Sequence, residues 1–151
     1  MPNWCMNIVH IVDGSERELA AVFAKLKDTD EPFTAIFPRP KDEDDWYDWN
    51  IANWGTKWDA DGFSISKHED GTIDMYFSTA WSPSLEVTRK LSEDFPSLSI
   101  RHFYEEGGMG FEGVAAFQGG HMEDSCRDMP RFETDEETED YLNTPLDERL
   151  A

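Results

Sequence analysis

Trp4–Val12, WCMNIVHIV, is apolar at both odd and even positions. Alternate side chains of an extended chain point to opposite faces, so such a strand belongs at the centre of a sheet covered on both sides. The rest of the chain must supply two covering layers. Ser15 and Glu18 form an S-x-x-E capping box, and Leu19, Val22, Phe23 and Leu26 follow at helical spacing. A helix ending near Lys27 therefore contributes to one layer.

The following segments fill out the pattern. Phe33–Pro40 is a short apolar stretch bounded by Pro38 and Pro40. Phe63–Glu69 and Thr72–Thr79 alternate apolar and polar residues around Asp70-Gly71, predicting a hairpin with positive φ at both turn positions. Ser82-Pro83 predicts a second helix, with Ser82 as N-cap and Pro83 in the first helical position; Val87, Leu91 and Phe95 form its stripe and Pro96 ends it. In a fourth strand, Leu98, Ile100, His102 and Tyr104 share one face, with Ser99, Arg101 and Phe103 on the other. Gly107-Gly108 turns the chain into a fifth strand, Phe111–Phe117, and Gly119-Gly120 closes this part. A second capping box, Thr134 to Glu137, opens a short acidic helix reaching about Leu142, interrupted by Pro145.

The order predicts an α+β chain: a ferredoxin-like βαββαβ antiparallel sheet with two helices on one face. A Trp-rich insertion at about 40–61 follows the first helix, and a fifth strand and an acidic C-terminal tail are appended. Residues 1–120 are read as the ferredoxin-like domain and 121–151 as an acidic extension with a short helix. The length of 151 residues fits one domain. No basic n-region with an apolar h-region opens the sequence, and no apolar run approaches the ~20 residues of a membrane span. Cys5 and Cys126 stand far apart, forming neither a disulfide framework nor a CxxC pair. The expected location is the cytoplasm.

Three segments, MPNWCMNIV, WYDWN…NWGTKWDA and STAWSPS with a helix ending in DFPSL, resemble the phage- and plasmid-borne YubB-like proteins. The resemblance covers roughly residues 1–118. It implies an N-terminal ferredoxin-like domain and an origin on a mobile element in a host cell. The family brings no established activity.

Four of the six tryptophans lie between Trp46 and Trp58. With Gly55–Ala60 extended, Lys57 and Asp59 share one face and Thr56, Trp58 and Ala60 the other. The reading adopted is architectural: these rings roof the sheet face that the two helices leave bare, and Asn50, Asn53 and Gly55 make the turns. The alternative is a small-ligand or nucleotide-binding pocket, extending to a hydrolase, in which Trp54 and Trp58 form the walls and Asn53, Lys57 and Asp59 supply polar contacts.

Other matches carry little. Gly108-Met109-Gly110-Phe111-Glu112-Gly113 fits GxGxxG, but it joins two strands instead of opening a helix, and Glu112 would repel phosphate. His121-Met122-Glu123 lacks the downstream P-C-x-x-C of zinc deaminases. His10 and His102 are read as hydrogen-bonded sheet residues and His68 as exposed at a turn. No cofactor, metal site or catalytic residue is assigned.

Charge is what remains. Thirty-three acids face thirteen bases, for a net charge of −20, and residues 121–151 carry eleven acids against three arginines. Such a surface repels nucleic acid and acidic membranes and attracts basic protein. Asp135, Glu136, Glu137, Glu139 and Asp140 place about one charge per ~1.8 Å of helix, close to the ≈ 1.7 Å of duplex DNA. Asp42, Glu43, Asp44, Asp45 and Asp48 extend the field, with Trp46, Tyr47 and Trp49 as aromatic anchors. The expected function is that of a non-enzymatic acidic interaction protein from a mobile element. It is read as a mimic of nucleic-acid charge that binds and blocks a basic, nucleic-acid-binding surface of a host protein, such as a defence component in an anti-CRISPR role.

Overall fold

The computed structural model describes residues 2–150. Six antiparallel strands, β1 (Trp4–Asp13), β2 (Asp61–Lys67), β3 (Ile73–Ala80), β4 (Ser99–Glu106), β5 (Phe111–Gln118) and β6 (His121–Asp128), form one sheet in the order β2-β3-β1-β4-β5-β6. β1 sits inside the sheet, as its two-faced apolar pattern requires. The first four positions in that order are those of the ferredoxin-like fold; β5 and β6 extend it.

One face packs under helices. Val9 and Ile11 of β1, with Ile73, Met75 and Phe77 of β3, Ile100 of β4 and Ala115 and Phe117 of β5, meet Leu19, Val22 and Leu26 of α1 (Glu16–Leu26) and Val87 and Leu91 of α4 (Leu85–Asp94). Ser15 caps α1 as expected, its Oγ accepting from the Glu18 N–H at 3.1 Å. A buried polar line crosses this face. The Nε2–H of His102 donates to Asn7 Oδ1 at 2.7 Å, because the Asn7 amide nitrogen is already directed at Thr79 Oγ1 and the Cys5 carbonyl. His102 Nδ1 therefore accepts from the Thr88 hydroxyl at 2.9 Å.

The second face is covered by the C-terminal segment. Beyond β6 come α5 (Asp135–Asn143) and α6 (Leu146–Arg149), and Leu146 and Leu150 pack against Ile8, Phe103 and Val114. Burying Leu146 contributes about 1.5–3 kcal/mol. Polar contacts hold the same segment: His10 lies 2.5 Å from an Asp74 oxygen and 2.8 Å from Asp147, and Arg149 pairs with Glu105. Glu112, fully buried, accepts from Arg127 Nε at 2.9 Å and from the Tyr141 hydroxyl.

Four expectations are corrected. The roof over the second face is this C-terminal segment; the Trp-rich insertion packs instead on the helical face, where Trp54 joins the main core. Residues 121–128, read as the start of a tail, are a sixth strand paired to β5 from Phe111↔Asp128 to Gln118↔His121. The second helix begins at Leu85 after Ser84; the Ser82 hydroxyl instead donates to the Gly55 carbonyl at 2.5 Å. In the β2–β3 hairpin only Gly71 has positive φ, at 91°, while Asp70 accepts from the Thr72 N–H through its side chain.

Candidate functional site

Within the insertion, α2 (Pro32–Ile36) and α3 (Trp46–Asn53) are joined by the proline segment. Asp45 caps α3 by accepting from the Asp48 N–H at 3.1 Å. The helix splits its aromatics between two sides. Trp49 turns inward, edge-on to Phe37 and Trp54, while Trp46, Tyr47 and Ile51 stay exposed.

Most of the alternative pocket is consumed by the scaffold. Trp54 is buried, and its Nε1–H donates to the Phe37 carbonyl at 2.8 Å. Asn50 donates to the Lys57 carbonyl and accepts from Arg39, and Asn53 donates to the Trp49 carbonyl. Gly55–Ala60 is bent, not extended, so Lys57 and Asp59 do not form the expected pair. Asp59 instead caps α2, whose own Glu31 makes no side-chain cap. Its two oxygens accept from the Phe33 and Thr34 N–H groups at 2.9 Å each and from the Thr34 hydroxyl at 2.8 Å. Asp59→Ala is therefore expected to cost about 2 kcal/mol, the upper range for a lost cap, while Lys57→Ala leaves stability within about 0.5 kcal/mol. Denaturant midpoints of the two variants check this; equal midpoints would remove Asp59 from the scaffold.

Lys57 and Trp58 face outward. The Lys57 ammonium lies 4.5 Å from the Trp58 ring centroid and 5.6 Å from that of Tyr47. Trp58 lies 6.3 Å from Trp4. Trp4 and Met6 in turn line a shallow cavity of about 170 Å³ with Ser78, Glu105, Gly107, Met129 and Leu142. Leu142 belongs to α5. An exposed strip thus runs from α3 through Tyr47, Trp58, Trp4 and Met6 to α5, with Trp4 and Trp58 each about two-fifths exposed. Nearby, Trp81 is half exposed and has φ +72°, a conformation costly for a bulky residue and secured by its N–H donating to the Asn3 carbonyl at 2.8 Å.

Acids flank the strip at both ends. Asp42, Glu43, Asp44, Asp45 and Asp48 are exposed at the start of α3. Asp45, through a side-chain hydrogen bond and its charge, raises the Asp48 carboxyl above its ordinary value, a sign of crowded negative charge. Asp135, Glu136, Glu137, Glu139 and Asp140 are exposed along α5. Thr134 caps that helix, and Tyr141 fixes it: its hydroxyl donates to Glu112, its ring packs on Phe132, and the Arg149 guanidinium lies 4.7 Å over it. Burial, then the Glu112 bond, raises the Tyr141 hydroxyl above its usual value, so it stays a donor at neutral pH. The acidic helix is thus ordered on the sheet, not a frayed arm. Its two candidate segments are brought to the ends of one strip, joined by Trp4, Met6 and Leu142, which the charge pattern does not reveal. Their signal lies in Trp4 and Met6 occupying alternate positions on the strand face away from α1.

The GxGxxG match holds no free phosphate cradle. The Gly108 and Met109 N–H groups donate to the fully buried Glu106 carboxylate at 2.6 and 3.0 Å. Gly113 is needed for packing, since a Cβ there would lie 2.3 Å from the Tyr104 hydroxyl oxygen. His121 and Glu123 are exposed on the edge strand.

A family model described as the ferredoxin-like domain in Api92-like protein matches residues 53–144. The chain belongs to this Api92-like family. The matched range ends past α5, so the acidic helix lies inside the family domain and not beyond it. The crystal structure of protein api92 from Yersinia pseudotuberculosis is similar at a TM-score of 0.54 and 19% identity, over 67% of this chain and 41% of that one. That likeness shows the fold alone, and this chain spans less than half of the solved Api92 protein. No curated protein gives a significant match. Among the described residues, no helix is long and apolar enough to cross a membrane.

Proposed function

We propose that this Api92-like chain is a non-enzymatic acidic interaction protein of a phage or plasmid. It binds and blocks a basic, nucleic-acid-binding surface of a host protein such as a component of a defence system. The supporting observation is the meeting of two acidic segments, about ninety residues apart in sequence, at the ends of one exposed aromatic strip on an ordered scaffold. Rings beside charge are the material of binding hot spots, and a rigid acidic helix needs no ordering when a basic groove receives it. The mobile-element origin rests on the resemblance of the NWGTKWDA and STAWSPS segments.

The test captures host proteins on the immobilised full chain at 50 and 500 mM NaCl. Binding of a basic partner is expected to fall steeply with salt, because exposed charges separated by more than a Debye length are screened. Neutralising α5 with D135N, E136Q, E137Q, E139Q and D140N together is expected to weaken the same partner about tenfold at low salt, at a few tenths of a kcal/mol per exposed charge. Binding indifferent to both changes would sink the proposal.

A further inference from the structure

The chain places one of its thirteen basic residues where no carboxylate answers it. Arg89, Lys90, Arg127 and Arg149 each pair with an acid, whereas Lys57, among the described residues, meets ring faces and has no carboxylate at ion-pair distance. In an acidic protein with a crowded acidic lip close by, that choice identifies the rings as a cation-accepting surface. Tyr47 is 45% exposed and Trp58 40%, so both faces can be reached from solvent.

The base of this site is rigid while its occupant is not. Asn50, buried, holds the Lys57 carbonyl at 2.8 Å, and Asp59 is tied to the start of α2, so the backbone on both sides of Trp58 is pinned. Only the four-carbon arm of Lys57 need swing for its ammonium to leave.

We infer that the Tyr47–Trp58 ring pair, widened by Trp4, is a receptor for an arginine side chain of a protein partner, filled in the free protein by the chain's own Lys57. An arginine suits it better than the resident lysine. Its planar guanidinium stacks on an indole and keeps edge N–H groups free for a carboxylate of the lip, whereas an ammonium is a compact, strongly hydrated charge. Lys57 then acts as an internal competitor that keeps the rings from nonspecific contacts until a better cation arrives. This assignment rests on the proposed basic partner and names the group by which that partner is gripped.

The probe is a capped Gly-Arg-Gly-Arg peptide, titrated into the full chain while the indole N–H signals are followed by NMR. The Trp58 and Trp4 signals are expected to move and that of Trp54, bonded inside the scaffold, to stay. Lys57→Met is expected to bind the peptide about two- to fivefold more tightly, the worth of one exposed cation–π contact. Lys67→Met removes the same charge at the other end of β2 and is expected to change affinity less. A stationary Trp58 signal, or equal affinities of the two variants, would overturn the assignment. A salt-sensitive partner held equally by both variants overturns the ring site and leaves the acidic-surface reading standing. A peptide that moves Trp58, with no salt-sensitive partner found, supports the ring site and counts against that reading.

Discussion

A chain cut after Gly120 is expected to lose its cooperative fold, not merely a tail. The cut removes β6 and its whole ladder against β5, leaving Ala115 and its neighbours on a new unpaired edge. It removes Met122 from the main core and Leu146 and Leu150 from Ile8, Phe103 and Val114. It also takes Asp147 from His10, Arg149 from Glu105 and both Arg127 and Tyr141 from Glu112. Three apolar side chains at about 1.5–3 kcal/mol each come to roughly 4–9 kcal/mol. Net stabilities of domains are about 5–15 kcal/mol, so the loss approaches the whole. Thermal melting by circular dichroism and size-exclusion chromatography decide the matter. The expected outcome is a broad or absent transition and aggregated material. A sharp transition within a few degrees of the full chain would show that residues 121–151 are dispensable to the fold.

That outcome bears on what the sequence discloses. The two-faced pattern of WCMNIVHIV announces that both sides of the sheet are covered, and the Leu19–Leu26 and Val87–Leu91 stripes identify one cover. The other is hidden by charge. Eleven acids surround Leu146 and Leu150, and those two leucines follow a proline in a helix too short to show a period. β6 is concealed for a related reason: HMEDSCRD lies at the sheet edge, exposed along nearly all its length, so no alternation marks it. The assignment of the Trp-rich loop to the bare face failed on long-range detail. Asp59 reaches back to α2, and Trp54 to Phe37, through bonds between residues far apart in the chain. The acidic residues of the candidate site are legible individually; their meeting along Trp4 and Trp58 depends on where the sheet carries the first strand.

His102 gives the chain a pH dependence that its surface charge opposes. Complete burial disfavours the imidazolium and lowers the ring from an ordinary 6.5 to about 3. The geometry agrees, since Nδ1 must keep a lone pair for the Thr88 hydroxyl while Nε2–H serves Asn7. The native state therefore binds no proton here where the unfolded chain does. This contribution is fully present above about 6.5 and is lost as pH falls from there towards 3. Between pH 7 and pH 5 the linkage costs on the order of 2 kcal/mol. Protonating some of the 33 acids relieves repulsion and acts the other way, so wild type alone does not isolate the effect. The difference in unfolding free energy between wild type and His102→Gln does, because both share the acids and only one carries the ring. That difference is expected to shift against wild type by about 2 kcal/mol from pH 7 to pH 5, and the native ring signals should remain those of neutral imidazole at pH 4.5. A pH-independent difference, or a native ring that titrates near 6, would mean that solvent reaches the centre of this sheet. The packing of Val9, Ile100 and Phe117 around the Asn7–His102–Thr88 line would then have to be looser than their burial indicates.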